Sequence, residues 1–214
     1  MLDRQAREQR QSRREQILET LARMLEARPG HRITTALLAA ELGISEAALY
    51  RHFPSKAKMF EALIEFVEES LFSRIQRIHN EIPAGTDRCR QLLTLLLLFC
   101  ERNPGITTLL NGDGLMDETH RLRLRTRQLF ERLETELRRM LRDAELNEGL
   151  KTTLPQGATA ALLLAQAEGQ IARFVRSGFE LKPTRHWEQQ WQALESACFV
   201  GAGEGARSVP GLGC

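Results

Sequence analysis

The chain of 214 residues is poor in the features that mark several classes of protein. Its longest apolar stretch runs from Leu92 to Cys100, is broken at Thr94, and falls far short of the roughly 20 residues a membrane helix needs. Met1 leads into an Arg-rich polar segment, not the apolar core of a signal peptide, so a cytoplasmic location is expected. The four cysteines (Cys89, Cys100, Cys198, Cys214) form no CxxC pair and have no histidine at ligand spacing. That argues against a zinc site or a disulfide framework, and no metal or cofactor is expected. Five dispersed histidines (His31, His52, His79, His120, His186), with no nucleophile–base constellation and no phosphate loop, argue against an enzyme. No run alternates as a strand does, and there is a single tyrosine.

What the chain has instead is helical periodicity and an uneven charge. Residues 1–60 carry eleven Lys and Arg against seven Asp and Glu, a net of +4, while residues 61–214 are at −2. A basic head on a faintly acidic body suits a polyanion at one end, although such an excess can also be a solvated face. Apolar spacing and breakers predict nine helices, near 13–26, 35–42, 46–52, 55–82, 87–103, 106–110, 117–147, 154–177 and 184–199. The expected organisation is a basic, disordered arm over 1–12 and a helix-turn-helix unit over 13–55. A helical dimerisation and partner-binding body over 56–199 and a flexible tail over 200–214 follow.

Residues 35–53 read TALLAAELGISEAALYRHF. Two short helices joined by Gly-Ile-Ser meet the helix-turn-helix geometry. Ala39 permits close approach, Gly43 supplies a left-handed turn, Ile44 plugs the small core, and Ser45 caps the second helix. The run SEAALYRHFPSKAKMF resembles the signature of the TetR family, in which a Tyr-x-x-Phe element closes the recognition helix. LIEFVEESL, LLLLFCERNPGIT, QLFERLE and RFVRSGFELKPT extend the likeness over most of residues 12–192, toward the nucleoid occlusion branch of that family.

The resemblance implies an all-α, TetR-like fold and a homodimer on palindromic double-stranded DNA. Thr34 and Thr35 are placed to hold a phosphate at a helix start. Ser45, Glu46, Ala47 and Ala48 open the helix that enters the major groove, where alanine methyls can meet thymine methyls. Tyr50, Arg51, His52 and Lys56 are candidates for phosphate or base-edge contacts; Tyr50 could equally pack on the head's own core, and His52 could be plain surface. Arg4, Arg7, Arg10, Arg13 and Arg14 either track a DNA backbone or only solubilise the segment.

On the fourth helix, Phe60, Ile64, Val67, Leu71, Ile75 and Ile78 share one face, with Phe66 opposite. An aromatic there is either covered by another helix or a partner contact. The resemblance implies that Phe66, Arg74, Leu95, Leu98, Arg102 and Asn103 receive the C-terminal tail of the tubulin-like division protein FtsZ. The guanidinium groups would hold its acidic groups. Ile171, Phe174 and Val175 on the eighth helix, with Trp187, Trp191 and Leu194 on the ninth, are assigned to the dimer interface or else to intrachain core. The implied function is nucleoid occlusion: bound to chromosomal sites, several dimers per site on some, the protein antagonises FtsZ assembly. The alternative is a repressor released by a small ligand, which the Leu- and Phe-crowded body disfavours.

Overall fold

A computed structural model of the chain describes the backbone of residues 2–27, 31, 33–112 and 120–200, and side chains from residue 12 onward. The described helices are α1 (Leu2–Ala27), α2 (Thr35–Glu41), α3 (Glu46–His52), α4 (Lys56–Glu81) and α5 (Gly85–Arg102). They continue with α6 (Pro104–Leu110), α7 (His120–Glu148), α8 (Gln156–Arg176) and α9 (Trp187–Cys198). Two expectations change. The backbone is already helical from Leu2, in place of a disordered arm over 1–12, because that stretch holds Arg, Gln, Glu and Ala with no Gly or Pro to stop a helix. A strand pair is also present: β1 (Lys151–Thr152) and β2 (Phe199–Val200) lie antiparallel, Thr152 opposite Phe199. Two residues a side are too few to leave an alternating pattern in sequence. The tail expected over 200–214 lies outside the described residues apart from Val200.

Ile17, Leu21 and Leu25 of α1 pack with Leu38 and Ala39 of α2 and with Leu49 and Phe53 around α3, all buried. Each short helix has its own start signal: Thr34 Oγ1 accepts from Leu37 N and Ser45 Oγ accepts from Ala48 N, both at 3.2 Å. Gly43, at φ +64°, makes the turn between them in a conformation that costs other residues about 1 kcal/mol.

The body surrounds α5, whose Cys89, Leu92, Leu93, Leu96, Leu97 and Cys100 are buried. Phe60, Ile64, Val67, Leu71 and Ile75 of α4 are buried as the spacing predicts, Ile78 is half-buried, and Met59 joins them in the core. Leu129, Leu133, Leu137 and Met140 of α7 close another side. Glu61, almost fully buried, is satisfied by Lys58 Nζ (2.6 Å) and Arg121 Nε (2.9 Å), which ties α4 to α7. α9 is anchored by Trp187 Nε1, which donates to Thr94 Oγ1 at 2.7 Å, and its end is held where Thr153 N donates to Cys198 O at 2.9 Å.

Head and body are joined at Gly105. A Cβ there would stand 1.9 Å from the carbonyl oxygen of Ala22, so only glycine lets α6 lie this close against α1.

Candidate nucleic-acid interface and partner groove

The exposed face of α2 and α3 gathers most of the expected DNA-contacting residues. Tyr50 is 43% exposed, so it belongs to the outer face and not to the head's core. Its hydroxyl donates to Thr35 Oγ1 at 3.3 Å, and Thr35 Oγ1 donates to Glu46 Oε2 at 2.6 Å. This chain fixes the start of α2 against the first turn of α3 and holds a carboxylate at the mouth of the recognition helix. Ala47 and Arg51 are exposed beside it, and Ala48 and His52 are half-buried. Thr34 and Ser45 spend their side-chain acceptors as caps. Lys56 opens α4 with its ammonium 5.5 Å from the Phe60 ring.

A scaffold role missed in the sequence falls to Arg14. It stacks 4.1 Å over Phe53 and donates through Nη1 to His52 O at 2.6 Å. A cation on the last carbonyls of a helix is favourable, so Arg14 orients the recognition helix instead of reaching outward. Arg13 bonds Gln16 on the surface. The side chains of Arg4, Arg7 and Arg10 lie outside the described residues.

A groove of about 430 Å³ runs where α1, α4 and the α5–α6 corner meet. Phe66, Arg102 and Asn103 line it together with Leu18, Ala22 and Ile106. Phe66 is 47% exposed and its ring lies 6.4 Å from that of buried Phe99. Asn103 is fixed by donating to Phe99 O at 2.7 Å. Arg102 is exposed and has no ion pair among the described residues. The structure therefore brings three of the six expected partner-binding residues into one groove. Arg74 is exposed farther along α4, while Leu95 and Leu98 are half-buried on α5; none of these three lines the groove. Its far wall, from α1, was missed, including carboxylates Glu15, Glu19 and Glu26. The signal was a second apolar pair, Leu18 and Ala22, beside the core stripe.

The residues assigned to the dimer interface need correction. Ile171, Phe174, Val175, Trp187 and Trp191 are buried within the protomer itself, and Leu194 is half-buried. Trp191 packs on Trp187 at 6.0 Å and on Phe199 at 6.4 Å. Large apolar groups at helical spacing face the nearest available core, and here that core is the chain's own. The outward face of α8 carries Ala161, Leu162, Ala165 and Gly169, and that of α9 carries Ala193 and Ala197.

The described thiols are quiet. Burial pushes Cys89 and Cys100 up to about 12, and it raises Cys198 as well. Among the described residues no His, Cys, Asp or Glu cluster could hold a metal, and no helix is long and apolar enough to cross a membrane.

Residues 17–63 match the bacterial regulatory proteins of the tetR family, and residues 84–198 match the SlmA-like form of the tetracyclin repressor-like C-terminal domain. The chain belongs to the TetR family, in its SlmA-like branch. It is 60% identical to the nucleoid occlusion factor SlmA of Shewanella pealeana over 184 residues, 86% of this chain and 93% of that protein. Identity to SlmA of Shewanella loihica is 59% over the same length and the same shares of the two chains. Among solved structures, a TetR transcription regulator from Haloarcula marismortui superposes with a TM-score of 0.73 at 21% identity, covering 89% of this chain and all of that one. PfmR from Thermus thermophilus gives 0.70 at 22%, over 85% and 97%. These structures share the fold. Membership of the family makes the chain a DNA-binding regulator, not an enzyme, and its fold is one that pairs into dimers.

Proposed function

We propose that the chain is a nucleoid occlusion factor: a dimer that binds palindromic chromosomal sites and, so bound, restrains FtsZ assembly over the nucleoid. The observation that carries this is the 60% identity to SlmA, which spans head and body alike. In this reading Glu46, Ala47, Tyr50 and Arg51 face the major groove, Thr34, Thr35 and Lys56 its flanking phosphates, and Ser45 holds the helix that presents them. Two heads about one helical turn apart read a palindrome. The small-residue outer faces of α8 and α9 pair the protomers, because small side chains let helices approach closely.

The FtsZ tail is assigned to the groove at Phe66, with its aliphatic groups on Phe66, Leu18 and Ile106. Its acidic groups lie toward Arg102, away from the carboxylates of α1. Leu95, Leu98 and Arg74 serve as an extension of that surface along α4 and α5. Since α1 walls the groove and, through Arg14, also holds the recognition helix, one helix adjoins both the tail site and the DNA-reading helix. If DNA favours the tail-binding arrangement, the tail must tighten DNA binding by the same factor.

The test is fluorescence anisotropy of a labelled FtsZ C-terminal peptide titrated with the protein, with and without a palindromic duplex. Saturable binding strengthened by DNA is expected, weakened at least tenfold by Phe66→Ala and by Arg102→Asp. No binding in either state overturns the assignment and returns the chain to ligand-released repression.

A further inference from the structure

On α7 arginines find carboxylates: Arg121 reaches Glu61, and Arg125 and Arg132 both reach Glu68. The end of α8 and the connection 177–186 differ. Arg173 and Arg176 close α8 and Arg185 precedes α9, and none of them pairs with a carboxylate among the described residues. Lys182 has Glu101 at 3.2 Å, but Glu101 also accepts from Thr184 Oγ1 and is shared.

Three of these cations, Arg173, Lys182 and Arg185, converge with the imidazole of His186 on one pocket. It has a volume of about 280 Å³ and is lined by Gln170, Arg173, Leu181, Lys182, Arg185 and His186, with no acid among them. The donors are positioned. Gln170, 7% exposed, donates to Gln190 Oε1 at 2.8 Å and accepts from Arg173 Nη1 at 3.4 Å, so a buried amide steers the exposed guanidinium. Arg185 Nε donates to His186 Nε2 at 3.1 Å, which sets the guanidinium beside the imidazole. His186 adopts φ +62°, a left-handed conformation uncommon for a side-chain-bearing residue, and one that recurs at functional sites. A space this small, rich in N–H donors and bare of acids, suits a compact polyanion better than an apolar ligand. Guanidinium forks match phosphate oxygens in pairs.

The pocket also has a direction. Lys182 and Thr184 hold Glu101, one residue before Arg102, and Gly105 beyond it presses on Ala22 of α1. It therefore sits at the end of the body nearest the head.

We propose that this pocket is a second anion site, built for a phosphate group. The phosphate could come from a backbone phosphodiester of the DNA under the head, or from a free phosphate compound that regulates the protein. The site is separate from the recognition helix and from the Phe66 groove, so its pyrophosphate test stands even if the proposed function fails.

The experiment uses the full chain, the double variant Arg173→Gln/Arg185→Gln, and Arg173→Lys/Arg185→Lys. Inorganic pyrophosphate is titrated while tryptophan emission is followed, since Trp187 adjoins His186. DNA binding is then measured over a salt series, on a duplex selected from a random pool by the wild-type protein. Wild type should bind pyrophosphate saturably, one per chain. The glutamine variant should bind at least tenfold more weakly, and the lysine variant should recover part of the affinity. If the occupant is DNA, the glutamine variant also lowers the slope of log K against log salt by about 1–2 per dimer. If it is a free phosphate compound, the slope is unchanged. Equal pyrophosphate binding by wild type and glutamine variant, or none by either, together with an unchanged slope, overturns the proposal. So does a glutamine variant that runs as a single chain where wild type is a dimer, because those cations would then belong to the contact between copies.

Discussion

Head and body solve the same problem, burying apolar helix faces, by opposite means. In the head, each short helix is bounded within a few residues of itself: Thr34 caps α2, Gly43 turns, Ser45 caps α3. In the body, boundaries are weaker and distant pairs decide the structure, such as Trp187 with Thr94 or Glu61 with Arg121. A unit held by local signals can expose most of one face to DNA. A unit held by distant pairs must spend its large side chains inward, and that is why the tryptophans of α9 are buried within their own chain.

The largest effect expected from breaking this contrast lies in the body. Trp191→Ala removes a fully buried side chain and should cost about 3–5 kcal/mol in urea unfolding. Wild-type DNA specificity should persist in whatever fraction remains folded. An interfacial tryptophan would instead make that loss depend on protein concentration.

Next is the seam between the two regions. Gly105→Ala drives a Cβ into Ala22 O and should destabilise by about 3 kcal/mol. Unfolding followed by head and body probes should then separate into two transitions, whereas one shared transition would mean that the seam does not carry their coupling.

Within the head, Ser45→Ala removes one cap and should cost about 1 kcal/mol by thermal denaturation. Its effect on operator affinity should exceed its effect on stability, because the recognition helix loses its fixed first turn.

A smaller, pH-dependent effect concerns Glu101. Burial would raise its pKa, but the Thr184 hydrogen bond and the Lys182 ammonium outweigh burial and hold it below its ordinary 4.5. A depressed carboxyl stabilises the fold above its unfolded value, and that contribution fades as pH falls through the folded one. Wild type should therefore exceed Glu101→Gln in unfolding free energy at pH 7, and the gap should close in acid. A gap that is the same at pH 7 and at pH 3 would assign the difference to packing.

The mildest test is chemical. Cys89, Cys100 and Cys198 should resist maleimide in the native protein and react once it is unfolded, as read by peptide mass mapping. Native labelling of Cys89 would show that the body core opens.

Legibility in the sequence follows the same division. The helix-turn-helix could be read almost residue by residue, because caps, the glycine turn and Pro54 act within a few positions of one another. Phe66 stood out as an aromatic on a polar face, and it is exposed. The groove's second wall could not be read, since it depends on Gly105 letting α6 meet Ala22 across more than 80 residues of chain. Periodicity shows that a face is apolar but not what covers it, so the stripe through Trp187, Trp191 and Leu194 looked like an interface. Arg14 was misjudged for a related reason: among arginines at the start of the chain, nothing local marks the one that stacks on Phe53.

The ribbon between β1 and β2 has a consequence for the order of assembly during synthesis. Thr153 is bonded to Cys198, and Trp187 to Thr94, so the body's core is sealed by the last described helix. Contacts that distant form late, whereas the head's contacts lie within about 40 residues of chain. A nascent chain can thus carry a finished head while its body is still open. Half-made protein emerging near DNA would already display a recognition helix, while α8 and α9 had yet to fold onto the body.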